Sequence, residues 1–175
     1  MADEPRRPHS DRSGGGDASA PDSRELLEAA LSYAAPGWQV LPLEPGAKKP
    51  LVPTWQATAT AAAVRAWWEQ WPLANVGVAT GRRSGLVVIE VDDDAMEDVA
   101  AQFPELLKAT VRARTGDGKR QFYYGYPRGR QLRGGRLAAG AVAYADGGYV
   151  VAPPSRLCDC WCCLLARRAA LRERR

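Results

Sequence analysis

Histidine is almost absent from this chain of 175 residues: the single one, His9, lies in the polar N-terminal stretch. A histidine general base and a histidine-ligated metal are therefore excluded from the foldable part. Long apolar runs are also missing. The best candidates, Gly85–Ile89 and Trp161–Ala166, fall well below the ~18 residues that cross a bilayer. Met1–Ser23 has no apolar stretch of the kind that marks a secretory signal. Cysteine is confined to Cys158, Cys160, Cys162 and Cys163, in adjacent and alternate positions that differ from the separated ligand pairs of structural zinc. A cytoplasmic protein with reduced thiols is the expectation. The absence of a Gly-x-x-x-x-Gly-Lys-Ser/Thr loop argues against a P-loop nucleotide site. Charge is nearly balanced, with 24 Lys and Arg against 20 Asp and Glu, a net +4. That is a mild lean toward polyanionic partners.

What is present divides into three parts: a leader over residues 1–23, one domain over 24–156, and a Cys/Arg-rich appendage over 157–175. The leader mixes Pro, Ser, Gly and both charges, a composition expected to stay disordered. Asp22 and Glu25 form a capping box, and Leu27, Ala30, Leu31 and Ala34 fall on one helical face that Pro36-Gly37 ends. Trp38–Leu43 reads as a strand. Thr60 is placed to cap a second helix running to Trp71, with Val64, Trp67, Trp68 and Trp71 on its apolar face. Asn75–Ala79 and Leu86–Val91 read as strands joined by a hairpin-like turn, and Asp94–Lys108 as a third helix. Thr110–Arg114 and Arg120–Tyr126 flank the turn Thr115-Gly-Asp-Gly-Lys119. Val142–Tyr144 and Tyr149–Ala152 flank Asp146-Gly-Gly148, a second hairpin signal. Together these predict an α+β fold, helices covering a mixed or antiparallel sheet.

Two stretches could carry chemistry. Glu90 and Asp92 end a strongly apolar strand, and side chains two apart on a strand share a face. Paired carboxylates there can hold a hard divalent cation; the alternative is a solvated strand end, with Asp93 or Asp94 capping the next helix. From Arg112 to Arg136 run Arg112, Arg114, Lys119, Arg120, Arg128, Arg130, Arg133 and Arg136, with Asp117 as the lone acid and Phe122, Tyr123, Tyr124 and Tyr126 interleaved. Cations neutralise phosphates and aromatics stack on bases, a combination suited to single-stranded nucleic acid. The alternative makes the aromatics core and the arginines solvated loops. Lys48-Lys49-Pro50 could touch a triphosphate or simply line a loop.

Beyond these, a series of motifs stands in order: Gly37-Trp-x-Val40-x-Pro42-Leu43, Lys48-Lys-Pro50, Trp67-Trp68, Trp71-Pro72, Asn75-Val-Gly-Val-Ala-Thr-Gly81, Gly85-Leu-Val-Val-Ile-Glu-Val-Asp92, Arg114-Thr-Gly116 and Gly147-Gly-Tyr-Val-Val-Ala-Pro-Pro-Ser155. The series resembles the N-terminal domain of bifunctional DNA primase/polymerases, the prim-pol proteins of the archaeo-eukaryotic primase superfamily, over about Leu26 to Ser155. The resemblance implies an RRM-like core and template-directed nucleotidyl transfer on single-stranded DNA from nucleoside triphosphates, with Mg²⁺ or Mn²⁺. It also implies a possible helicase partner. It assigns Glu90 and Asp92 to catalysis and metal, Gln121 to the position of a histidine that contacts the triphosphate, and Lys48, Arg114, Lys119 and Arg120 to the nucleotide.

Two departures from the family pattern predict impaired catalysis. Gln121 donates a hydrogen bond but brings no positive charge to a phosphate. The third acidic ligand aligns with Val142, which cannot ligate a metal. Losing both contributions is expected to cost several orders of magnitude in rate, which leaves a non-catalytic single-strand-binding module, or a gene fragment without function, as the alternative. Arg156–Arg175 matches no expected continuation of the domain and reads as a truncated or out-of-frame end.

Overall fold

The computed structural model describes residues 21–106, 108, 111–115 and 117–157. Nearly all of the leader and of the appendage, with its cysteines, therefore lies outside the described residues. Among the described residues, eight strands and three α-helices form an α+β fold, as expected, and every strand pair is antiparallel. No helix among the described residues is long and apolar enough to cross a membrane.

The first half of the chain builds a helix pair on a small sheet. Helix α1 (Ser23–Ala34) starts at Asp22, whose carboxylate accepts from the Glu25 amide at 2.7 Å; this satisfies one of the donors a helix start leaves open. It buries Leu26, Ala30 and Ala34, so the fully covered leucine is Leu26, with Leu27 and Leu31 packed at the margin. Strand β1 (Val40–Leu43) starts two residues later than expected. Trp38 lies ahead of it, sandwiched between Tyr33 at 5.8 Å and Tyr123 at 6.0 Å. Helix α2 (Ala61–Gln70) begins after Thr60, but the Thr60 side chain makes no capping bond, and the helix buries Val64 and Trp68. Strands β2 (Asn75–Ala79) and β8 (Tyr149–Ala152) complete a three-stranded sheet in the order β1-β2-β8.

The second sheet holds β3 (Leu86–Asp92), β4 (Val111–Arg114), β5 (Lys119–Gly125), β6 (Gly135–Ala138) and β7 (Ala141–Tyr144), in the order β4-β5-β3-β7-β6. With helix α3 (Met96–Gln102) between β3 and β4, the order β4-β5-β3-β7 is that of a split β-α-β unit, although no helix lies between β5 and β6. The third helix is shorter than its expected span. A turn of 3₁₀ helix occupies Asp93–Ala95, and Phe103 ends α3 just before Pro104, as the steric restriction on a pre-proline residue favours.

Two expected hairpins are not hairpins. β2 and β3 belong to different sheets, as do β7 and β8. After Gly81 and Leu86 form one bridge, β3 turns to β5 and β7, while both sides of β2 are filled by β1 and β8. The two crossovers run side by side. Thr80 N donates to Gly148 O at 2.9 Å and Thr80 Oγ1 to Ala145 O at 2.6 Å. Gly81, with φ +100°, lies so close to Asp146 that a Cβ there would meet its Oδ1 at 2.6 Å; only glycine tolerates both constraints.

The core splits accordingly. Val88, Tyr123 and Ala113 pack with α1, α2 and the three-stranded sheet. Ile89, Val91, Phe122 and Ala141 pack with Val99 of α3 on the opposite face. Each fully buried aliphatic chain contributes about 1.5–3 kcal/mol, so both faces of β3 are committed to packing along most of its length. The exception is its C-terminal end.

Candidate functional site between the two sheets

Alternation along β3 sends Val88, Glu90 and Asp92 to the face that looks toward the three-stranded sheet, and Ile89 and Val91 to the α3 face. The antiparallel register sets Gln121 of β5 and Val142 of β7 directly opposite Glu90 on its two sides, and Lys119 opposite Asp92. Ala113 and Arg136 extend the same row at its ends. A buried carboxylate, a buried amide and a valine thus stand abreast across the middle of the sheet.

Glu90 is only 6% exposed and Gln121 only 1%. A buried carboxylate is tolerated when donors surround it, and three do so here. Gln121 Nε2 donates to Glu90 Oε2 at 3.1 Å, the Tyr144 hydroxyl lies 3.5 Å from Oε1, and Lys119 Nζ lies 3.7 Å from Oε1. The Gln121 carbonyl is itself fixed by the Tyr123 hydroxyl at 2.7 Å. Burial drives the Tyr123 phenol far above its ordinary pKa, so it keeps its proton and orients the amide toward Glu90. Burial also raises the Tyr144 phenol, and the charge of Glu90 adds to the shift.

The same lysine reaches the second carboxylate. Lys119 Nζ is 2.9 Å from Asp92 Oδ1. That hydrogen bond raises the lysine pKa more than its partial burial lowers it, and the Glu90 charge adds to the rise. Lys119 is placed by the β4–β5 turn, which Thr115 closes: its amide donates to Lys119 O at 2.8 Å, and its hydroxyl accepts from Lys119 N at 3.0 Å. On the far wall Lys48 pairs with Asp117 at 3.0 Å, and the Tyr149 hydroxyl donates to Lys48 O at 2.9 Å. Burial opposes ionisation of Asp117, but hydrogen bonds from Thr115 and Lys48 outweigh it and hold the carboxyl below its usual range.

A cleft of about 220 Å³ lies at this seam, lined by Lys48, Glu90, Thr115, Gln121, Tyr144 and Gly148 among others. Of the residues singled out in the sequence, Glu90, Gln121 and Lys48 line it, and Asp92 and Lys119 adjoin it through their ion pair. Arg114 and Arg120 are a correction to the expected cluster. Opposite one another in register, they fall on the α3 face of the sheet, where both pair with Asp93, Arg120 Nε at 2.6 Å from Oδ1. One-residue alternation separates them from Lys119 and Gln121. Arg112 lies on that same face, its guanidinium 5.5 Å over the Phe122 ring.

The cleft also draws on residues that sequence reasoning passed over. Tyr123 stands in the sequence among aromatics that either stack on bases or fill the core, and Tyr144 as the end of a strand; only the register shows their hydroxyls converging on Gln121 and Glu90. Asp117 and Thr115 read as turn residues. Two carboxylates share a face, oxygen donors of the kind that hard cations prefer, and the Lys119 ammonium stands between them. Among the described residues, no three His, Cys, Asp or Glu come together in a metal-ligating group. Two carboxylates are a number that Mg²⁺ accepts where water and phosphate oxygens complete its shell.

The motifs quoted from the sequence have structural reasons here. Asn75 holds the segment after β8 by donating to Arg156 O and accepting from Arg156 N, and the fully buried Ser155 hydroxyl accepts from Val76 N at 2.7 Å. Among known families, the one described as Bifunctional DNA primase/polymerase, N-terminal, matches residues 30–162 of the chain. No curated protein matches the chain.

Proposed function

The chain belongs to the bifunctional DNA primase/polymerase N-terminal family, and on that premise we propose that the seam cleft binds a nucleoside triphosphate beside a single-stranded DNA template, with nucleotidyl transfer impaired. The observation that carries this reading is the row Gln121–Glu90–Val142. It places one acidic side chain where the family pattern leads one to expect two, and a neutral amide where it leads one to expect a histidine.

Glu90 and Asp92 are the residues that would hold Mg²⁺ or Mn²⁺. Such an ion, when bound, supplies charge that draws a 3′-hydroxyl and a triphosphate together. Lys119 and Lys48 offer their ammonium groups to phosphate oxygens, and each first has to leave a carboxylate, Asp92 and Asp117 respectively. Gln121 Nε2 donates a neutral hydrogen bond only. The Tyr123 and Tyr144 hydroxyls hold the amide and the carboxylate in place, which limits where a phosphate can sit. Arg114 and Arg120 are committed to Asp93 on the other face and take no part in the cleft.

Nucleotide titration by calorimetry and primer synthesis in Mn²⁺ test the proposal together. Expected is nucleotide binding that depends on Mn²⁺ and is lost in Asp92→Asn, with primer synthesis near background. Efficient synthesis that disappears in Glu90→Ala overturns the impaired reading. The absence of any nucleotide binding overturns the cleft.

A further inference from the structure

Of the eight cations in the stretch from Arg112 to Arg136, the cleft takes Lys119, the α3 face takes Arg112, Arg114 and Arg120, β6 carries Arg136 opposite Val142, and the loop after β5 carries Arg128, Arg130 and Arg133. This loop does not hang free. Asp146, in the β7–β8 crossover, accepts from Arg82 N at 2.9 Å through Oδ1 and from the Tyr126 hydroxyl at 2.6 Å through Oδ2. The Tyr126 hydroxyl in turn accepts from Leu132 N at 2.8 Å, Asp146 N donates to Leu132 O at 3.2 Å, and the backbones of Arg133 and Asp146 form an isolated parallel β-bridge. One carboxylate thus ties together three loops: the β2–β3 crossover, the loop after β5 and the β7–β8 crossover.

The tied loops present Arg82, Arg128, Arg130 and Arg133, all exposed. None of the four forms an ion pair among the described residues, whereas Arg114 and Arg120 each have a carboxylate partner. Exposed guanidiniums without a pocket suit a repeating anion held by charge and not a single phosphate held by enclosure. The β7–β8 crossover reaches the cleft, because Gly147 and Gly148, which follow Asp146 directly, line it.

We propose that the Asp146-tied loops form a track for the phosphate backbone of single-stranded DNA, with Arg82, Arg128, Arg130 and Arg133 as its contacts, leading the strand to the Gly147–Gly148 edge of the cleft. The inference rests on the cleft reading above and locates the template, which that reading leaves unplaced. Contacts of this kind carry no base identity. Binding is therefore independent of sequence and sensitive to salt.

The test uses the full chain and a fluorescent oligothymidylate, with anisotropy read from about 50 to 200 mM salt. Replacing Arg128, Arg130 and Arg133 by Ser should make the salt dependence shallower by about 2 units of slope, at ~0.7 per single-strand phosphate contact. Replacing three exposed cations elsewhere, Arg24, Arg65 and Lys108, should leave the slope unchanged. Asp146→Asn keeps every arginine and should weaken binding by untying the loops; near-UV circular dichroism checks that each variant stays folded. The track is overturned by a wild-type slope in the triple variant, by an equal loss in the control, or by tighter binding of duplex than of single strand. Calorimetric nucleotide binding separates the two readings: if it persists while oligothymidylate fails to bind, the track fails and the cleft stands.

Discussion

Lys119 Nζ bridges Asp92 and Glu90, 2.9 Å from one carboxylate and 3.7 Å from the other, and so provides from within the chain the positive charge that this acidic pair calls for. Like charges brought together at a strand end repel, and Glu90 has little water to screen it. A tethered ammonium offsets both costs without a metal.

The first prediction follows from that bridge. A divalent ion entering the pair must displace the ammonium, so Lys119→Met should bind Mn²⁺ at least about tenfold more tightly than wild type, a difference of about 1.4 kcal/mol. Lys119→Arg keeps the charge and should behave as wild type. Electron paramagnetic titration of free Mn²⁺ measures both. Equal affinities in wild type and Lys119→Met would show that lysine and metal do not compete.

Val142 stands directly opposite Glu90 on β7, so Val142→Asp places a second carboxylate in the row and a third beside the Glu90–Asp92 pair. Without metal the added charge should lower the melting temperature. With Mn²⁺ the variant should recover it and bind nucleotide more tightly than wild type. Thermal melts in chelator and in Mn²⁺, with calorimetry alongside, report the two effects. A variant that melts identically in both conditions would mean that position 142 does not look into the cation site.

The α+β class, the order of elements apart from β6, and the sharing of a face by Glu90 and Asp92 were legible in the sequence, because period-two alternation and turn chemistry are local signals. Which strands share a sheet was not. Thr80–Gly85 and Asp146–Gly148 carry the glycine signature of hairpins, yet both connect different sheets, since β2 and β3 each meet better partners far along the chain. The cleft cations were misread for a related reason. Arg114, Lys119 and Arg120 look equivalent in sequence, but a register offset of one residue sends Lys119 to the cleft and the two arginines to Asp93. The convergence of Tyr123 and Tyr144 on Gln121 and Glu90 depends on pairing across three strands, and no local pattern encodes it.

Gln121 links Tyr123 to Glu90 through both ends of its amide. Gln121→Leu keeps similar bulk but strands a buried hydroxyl and removes a donor from a buried carboxylate, each loss worth about 1–3 kcal/mol. Expected is a fall in stability by denaturant unfolding in that range or above it, with the slope of the transition unchanged. Gln121→Glu should be worse at neutral pH, since it sets a second carboxylate against Glu90. A neutral effect of Gln121→Leu would show that the amide is not needed to satisfy its neighbours.

The Asp93 pair on the α3 face sets the acid limb of stability. Hydrogen bonding from Arg120, helped by Arg114 and opposed by burial, holds the Asp93 carboxyl below its ordinary value. A group whose folded-state pKa is depressed stabilises the fold above its unfolded value, ~3.9 for Asp, and loses that contribution as the pH falls through the folded value. Asp146 acts in the same direction, chiefly through the Tyr126 hydrogen bond. Melting temperature should therefore decline below about pH 4, and less steeply in Asp93→Asn, which starts lower at neutral pH. Because Asp93 and its arginines lie across the sheet from the cleft, Asp93→Asn should leave nucleotide affinity at neutral pH unchanged while flattening the acid limb. A loss of affinity would join the two faces of the sheet in one site and return Arg114 and Arg120 to the nucleotide.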